Sequence, residues 1–185
     1  MINEYCLSRV NDYVLRVEEF VCPNTILGRK GQIPDAVIFG NVTDEDYHEK
    51  FTDSSHGKAP HYVILRDGSV RNYIYVTDSS PYFTTSIFSD SENYYAKARG
   101  LVSCRPVNVA LYSVCVLFEG DELTDEQMLA AAALLRLISL KFIRIYRKKL
   151  PLDVNHIISA TALPCGYSFN GQTEEIIDLC KRKPL

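Results

Sequence analysis

Two residues nine positions apart carry the clearest hint of chemistry in this chain. They are His156 and Cys165, in the segment Asn155-His-Ile-Ile-Ser-Ala-Thr-Ala-Leu-Pro-Cys165-Gly. An imidazole nitrogen and a thiolate sulfur are both good zinc ligands, and a catalytic zinc needs three protein ligands plus a position open to water. The loop between them is long enough to fold the cysteine back toward the histidine. A hydrogen-bonded histidine and a small apolar cysteine fit the same pattern, and type and spacing alone leave both readings open. The remaining histidines are His48, His56 and His61. His48 and His56 read as solvated surface residues of a helix and a polar loop, and His61 as a half-buried residue opening a strand; any of them is also a candidate third ligand.

The elements that must position these residues follow from hydrophobic period. Residues 2–21 place Ile2, Cys6, Val10, Tyr13, Val14, Val17, Phe20 and Val21 at spacings of three and four, which predicts an amphipathic helix. Pro23 and Asn24 end it, residues 28–34 read as a loop, and residues 1–33 form an N-terminal extension of a single domain whose core is 34–185. Asp35-Ala-Val-Ile-Phe39 reads as a buried strand ending at Gly40. Thr43 caps a helix over 44–51. Residues 61–65 are a second strand, Arg66-Asp-Gly-Ser69 a tight turn in which Gly68 supplies a positive φ, and 70–76 the return strand. Residues 77–108 lack a strong period and read as a long loop, which in a compact domain is usually functional or disordered. A buried strand follows over 109–118. Thr124 and Gln127 have capping-box spacing before a helix reaching about residue 148, with Met128, Ala132, Leu135, Ile138, Phe142 and Ile145 facing the core. Residues 153–158 form a last strand, a loop runs through Gly171, and Thr173 caps a final helix through Cys180. The pattern is that of one compact α/β domain.

The length, 185 residues, fits one domain large enough to fold without a structural metal or disulfide. The net charge of −3 argues against a dedicated nucleic-acid binder. The basic run Lys141-Phe-Ile-Arg-Ile-Tyr-Arg-Lys-Lys149 alternates with apolar residues at helical spacing and reads as a solvated helix face. None of the six cysteines falls in a CxxC pair, so free thiols in a reducing cytoplasm are expected. No basic-then-apolar leader opens the chain and no apolar run reaches the ~20 residues of a membrane span. No nucleic-acid or membrane partner is expected.

The order of these elements resembles the zinc-dependent N-acetylmuramoyl-L-alanine amidases, the family of phage lysozyme-type amidases and peptidoglycan recognition proteins. The resemblance covers about residues 35–166. Asp35-Ala-Val-Ile-Phe-Gly40 resembles the family's first core strand, and His61-Tyr-Val-Ile-Leu-Arg-Asp-Gly-Ser-Val70 its second strand and turn. Ser113-Val-Cys-Val-Leu-Phe-Glu-Gly120 with Leu123-Thr-Asp-Glu-Gln-Met128 resembles the central strand and long helix. His156-Ile-Ile-Ser-Ala-Thr and Pro164-Cys165-Gly166 resemble the His-to-Cys segment of recognition proteins, with one extra residue. The implied fold is a central mixed β-sheet flanked by helices, here with an N-terminal helical extension.

The resemblance implies a zinc cofactor held by a His ending the first strand, a later His, and a Cys or Asp beyond it. By position, His156 and Cys165 match the second and third ligands, and the first falls at Gly40, or at Phe39 one residue earlier; neither can bind metal. The family's water-assisting Tyr or Glu falls at Pro60, with His61 and Tyr62 beside it as the available catalytic groups. A basic residue found before the Cys in some members is replaced by Leu163 or Pro164, and the 77–108 loop lacks a His found there in some active amidases. Without bound zinc, water keeps a pKa of about 15.7 and is a poor nucleophile. The resemblance therefore implies a degenerate zinc site and a protein that binds rather than cuts. Its ligand would be a peptidoglycan fragment, another small molecule or a host protein, the last as a phage-encoded inhibitor. The alternative is an active amidase with a rearranged metal site that recruits His61 or another His. Asn41, Tyr82, Phe83, Tyr94, Tyr95 and Arg99 are the expected ligand-binding residues, the aromatics and the guanidinium being suited to stacking and anion contact.

Overall fold

β-Branched and aromatic residues, interrupted by Pro, Gly and Asp at the turns, build a sheet through most of the first half of the chain. The computed structural model describes residues 2–3, 9–10, 13–20, 22–83, 86–87, 107–163 and 167–182. In chain order, strands β1 (Ile2–Asn3), β2 (Arg9–Val10), β3 (Tyr13–Val14), β4 (Val17–Glu19) and β5 (Ala36–Val42) lead to helix α1 (Tyr47–Thr52). Strands β6 (Tyr62–Ile64), β7 (Val70–Asn72), β8 (Ser86–Ile87) and β9 (Val107–Asn108) precede helix α2 (Val109–Tyr112). Strand β10 (Ser113–Glu119), helix α3 (Asp125–Tyr146), strand β11 (Ile157–Ser159), a 3-10 turn at Ala160–Ala162 and helix α4 (Thr173–Lys181) complete the described elements.

Seven strands form one mixed sheet in the order β1-β4-β7-β6-β10-β5-β11. β6, β10, β5 and β11 run parallel, and β7 returns antiparallel beside β6. The central strands are covered on both sides, which is why β5 and β10 read as continuous apolar runs rather than alternating ones. On one face Val37, Phe39, Val114, Val116, Tyr62 and Ile64 pack against α3 and α4. The run of Ala130, Ala131, Ala132 and Ala133, all buried, lets α3 lie close on the sheet. On the other face Ala36, Ile38, Cys115, Leu117, Val63 and Ile158 pack against Tyr47 and Phe51 of α1 and against Tyr73, Phe83 and Leu163. No helix among the described residues is long and apolar enough to cross a membrane.

The N-terminal segment corrects the helix expected over 2–21. It forms short strands, and β4 joins the main sheet beside β7 with Val17 opposite Val70. Leu15 and Val17 are buried while Val14 is 47% exposed, a period of two rather than 3.6. The apolar spacing fits both periods, and an open sheet edge settles the choice. The stretch 109–118 divides into α2 and β10 where the Ser113 hydroxyl donates to the Val109 carbonyl. Residues 153–156 are a turn, not strand, because the Asp153 carboxylate accepts the Asn155 N–H and its carbonyl accepts the N–H groups of His156 and Ile157. The return strand stops at Asn72, whose side-chain amide donates to the carbonyls of His61 and Ile74. Neither Thr43 nor Thr173 caps its helix: α1 begins after Asp46, and Thr173 is the first residue of α4. The capping box of Thr124 and Gln127 forms as read, and α3 ends at Tyr146, with Ile145 42% exposed on its last turn instead of facing the core.

Candidate functional site

The parallel register decides which residues could share a metal. Ile157 lies opposite Val37 and Ser159 opposite Phe39, so His156 is level with Ala36, at the amino end of β5. Its carbonyl accepts the Val37 N–H, and its Nδ1 lies 2.7 Å from Asp153 Oδ1. Gly40 is four residues further along β5, roughly 13 Å at strand rise. Zinc ligand atoms lie about 2.0–2.3 Å from the metal, hence within about 4 Å of one another. His156 is therefore not placed to share a metal with position 40. The residue that is level with Gly40 on that side is Ala160, whose Cβ lies 3.5 Å from where a Gly40 Cβ would stand.

The space in front of Gly40 is filled. A Cβ there would meet Phe83 Cζ at 3.1 Å and Leu117 Cδ2 at 3.2 Å. Phe83 is buried, and its ring meets Tyr82 and Tyr167 edge-on at 5.2 and 5.0 Å between centroids. Glycine is thus the residue that lets an aromatic ring lie directly on the β5 backbone. With Gly40 and Ala160 side by side and the Phe83 ring against Gly40, the residues present do not fit a three-ligand zinc centre at this place. Among the described residues no group of three His, Cys, Asp or Glu side chains could hold a metal ion. Cys165, Tyr94, Tyr95 and Arg99 lie outside the described residues.

His61 and Tyr62 sit elsewhere. His61 is fully buried, separated from β5 by β10. Its Nδ1 accepts the Cys115 N–H at 3.0 Å, which places the proton of the neutral ring on Nε2, facing the Asp78 carbonyl at 3.1 Å. The Arg29 guanidinium lies 2.9 Å from that same Nε2. Burial, reinforced by the Arg29 charge, holds the His61 pKa well below the ordinary 6.5. Both ring nitrogens thus face backbone groups rather than solvent. Tyr62 points to the opposite face, under α3, where Lys141 Nζ donates to its hydroxyl at 3.1 Å; burial raises its pKa. His48 packs edge-on to Phe20 with Nδ1 2.7 Å from the Tyr73 hydroxyl, so it is half-buried rather than solvated.

Sequence reasoning missed Arg29. Its guanidinium is buried and donates to the carbonyls of Val76, Ala110, Leu111 and Ser113, tying the loop before β5 to the end of α2. A lone Arg in a Gly-rich loop gives no sequence signal of that role. Asn41 is also committed to the fold: its amide donates to the Gly120 carbonyl and accepts the Asn170 N–H at 3.0 Å, closing the gap between β5, β10 and the segment before α4.

What remains open is a cleft of about 230 Å³ at the carboxyl end of β5, above α1. Val42, Tyr47, Phe51, Tyr82 and Tyr167 form its floor, and Asp44, Lys50, His56 and Lys58 its rim. The Tyr47 hydroxyl donates to Glu119 and accepts from Arg71, each at 3.1 Å, and burial pushes its pKa up to about 12. Burial likewise raises the Tyr82 phenol. Of the expected ligand-binding aromatics, Tyr82 lines this cleft and Phe83 lies beneath it. A larger hollow of about 360 Å³ lies at the outer edge of β11 against the start of α4, with no aromatic side chain and no cation in its lining.

No family model and no curated sequence matches the chain. Solved structures do. A selenomethionine AmpD derivative superposes with a TM-score of 0.61 at 14% identity, over 94% of this chain and 98% of that one. The N-acetylmuramoyl-L-alanine amidase LysC from Clostridium intestinale URNW gives 0.54 at 14% identity, over 86% and 93%. The endolysin amidase LysCS from the same organism gives 0.54 at 13%, over 86% and 91%. The mixed sheet flanked by helices is thus an AmpD-like amidase fold.

Proposed function

We propose that this protein is a binding protein on an amidase fold, one that has lost the zinc-hydrolase centre and works through the aromatic cleft over α1. The observation that carries the reading is the Phe83 ring seated against Gly40 beside Ala160, where metal ligands would have to converge. A hydrolase of this design needs metal-activated water, and a side chain without donor atoms supplies neither affinity nor polarisation. Recruitment of His61 as a substitute ligand conflicts with the hydrogen bonds at both of its nitrogens. The similarity to AmpD and to peptidoglycan amidases supports a peptidoglycan fragment as one ligand class.

Protein purified without chelator and dialysed against zinc, then analysed for metal and incubated with muropeptides, tests this. We expect no stoichiometric zinc and no released stem peptide. One tightly held zinc per chain, lost in Cys165→Ala and accompanied by stem-peptide release, would overturn it.

A further inference from the structure

We infer that the cleft over α1 is built for a small acid: one anionic group carried on a flat apolar body. This deepens the binding reading above and rests on it. The location is the first support. Chain leaving β5 crosses to α1 on one face of the sheet, while chain leaving the adjacent parallel strand β10 crosses to α3 on the other. Open α/β sheets leave a crevice at the carboxyl ends of such a strand pair. Here the gap directly between β5 and β10 is closed by the Asn41 and Gly120 hydrogen bonds, which leaves the opening on the α1 side.

The lining specifies the ligand. Tyr82 meets Phe51 edge-on at 5.8 Å and Tyr167 at 5.2 Å with the rings 36° apart, and Tyr47 closes the floor behind Phe51. Aromatic walls of this kind favour a flat partner in stacked or edge-to-face contact. The rim holds two lysines, one histidine and one carboxylate. Asp44 is already neutralised: Lys50 donates to it, and that hydrogen bond holds its carboxyl below the usual carboxylate range. Lys58 has no carboxylate partner among the described residues, so its ammonium is the uncompensated charge at the mouth. An apolar floor with a few placed polar groups is the usual form of a small-molecule site, and a volume near 230 Å³ suits a single ring with one acidic substituent.

The test uses the full chain and phenyl phosphate as probe, with benzyl alcohol, benzylamine and inorganic phosphate as its neutral, cationic and ring-free counterparts. Binding is followed by titration calorimetry and by amide shifts in nitrogen-15 spectra. We expect saturable one-to-one binding of phenyl phosphate, with shifts centred on residues 42–58 and weakening at high salt. Lys58→Gln should raise its Kd about tenfold, the loss of one charge contact, while Lys148→Gln, at an exposed residue just after α3 and outside the cleft lining, should leave it unchanged. Benzyl alcohol binding as tightly would overturn the charge assignment. Inorganic phosphate binding as tightly would overturn the flat-body assignment. No saturable phenyl phosphate binding, or binding unaffected by Lys58→Gln, would overturn the proposal whole. The zinc and muropeptide measurements are independent: a chain that holds zinc, releases stem peptide and also binds phenyl phosphate loses the non-hydrolytic reading but keeps the cleft.

Discussion

At the scale of single residues, the molecule turns on a glycine and a phenylalanine. Gly40 leaves room for the Phe83 ring, and Phe83 in turn supports Tyr82 and Tyr167 at the floor of the cleft. Phe83→Ala should therefore cost about 3–5 kcal/mol in urea unfolding, as expected for a buried ring whose space cannot collapse. Phe83→Leu should recover most of it. A loss below about 1 kcal/mol for Phe83→Ala, within the range of surface substitutions, would mean that the ring does not fill this space. That position 40 carries no donor side chain was legible once the family resemblance pointed to the end of that apolar run as a ligand position. The misplacement of His156 was not. Which residue at the end of β11 lies beside Gly40 depends on a pairing register between segments more than a hundred positions apart, and slipping it by a few residues changes no local pattern. Phe83 read as a loop aromatic for the same reason: nothing local shows that its ring reaches a glycine on another strand.

At the scale of elements, local signals were faithful where the chain satisfies itself and misleading where it depends on a neighbour. The start of α3 is of the first kind. The Gln127 N–H donates to Thr124 Oγ1 at 3.1 Å and Gln127 Oε1 accepts the Thr124 N–H at 3.0 Å, as the spacing of the two residues predicts. The strand at 17–19 is of the second kind, since it is pairing with the edge of β7 that makes β4 a strand. Gln127 also does something its motif does not reveal. It is fully buried, and its Nε2 donates to the carbonyls of Ile64 and Glu119, fastening the carboxyl ends of β6 and β10 to the helix. Thr124→Ala should lose about 1 kcal/mol, the ordinary worth of a cap. Gln127→Ala should lose more, because it strips a donor from the buried Ile64 carbonyl, a loss of about 1–3 kcal/mol where no water enters, and from the half-buried Glu119 carbonyl. Paired urea melts check this, and equal losses for the two variants would show that the sheet bonds contribute nothing beyond the box. Because both residues share one box, the double variant should lose less than the sum.

For the whole molecule, the fold class was legible because two continuous apolar strands and one long capped helix leave few architectures, and the strand order was not, because order is decided by packing on both faces. That packing buries His61 and Arg29 together at the amino end of β6, and this makes stability depend on pH in a defined window. The folded ring offers Nδ1 to the Cys115 N–H and faces the Asp78 carbonyl with Nε2, so a second proton has no place without breaking the first contact. Its folded pKa lies well below 6.5, through burial first and the Arg29 charge second. The unfolded chain takes up a proton near that ordinary value and the folded chain does not. Stability from this group is accordingly complete above pH 6.5 and falls as pH drops below it, by about 1.4 kcal/mol per unit until the folded pKa is reached. His48 acts with the same sign, its pKa lowered by burial and by Arg71, so His48→Gln removes that share and isolates His61. The lowered carboxyls of Asp53 and Asp67 begin to matter only as pH falls below the ordinary 3.8, outside the window. Urea melts of His48→Gln between pH 7 and 5 should thus show a flat region followed by a slope of about one proton. A flat profile down to pH 5 would mean that His61 accepts a proton in the folded state, and with it that the ring is free to leave the Cys115 N–H.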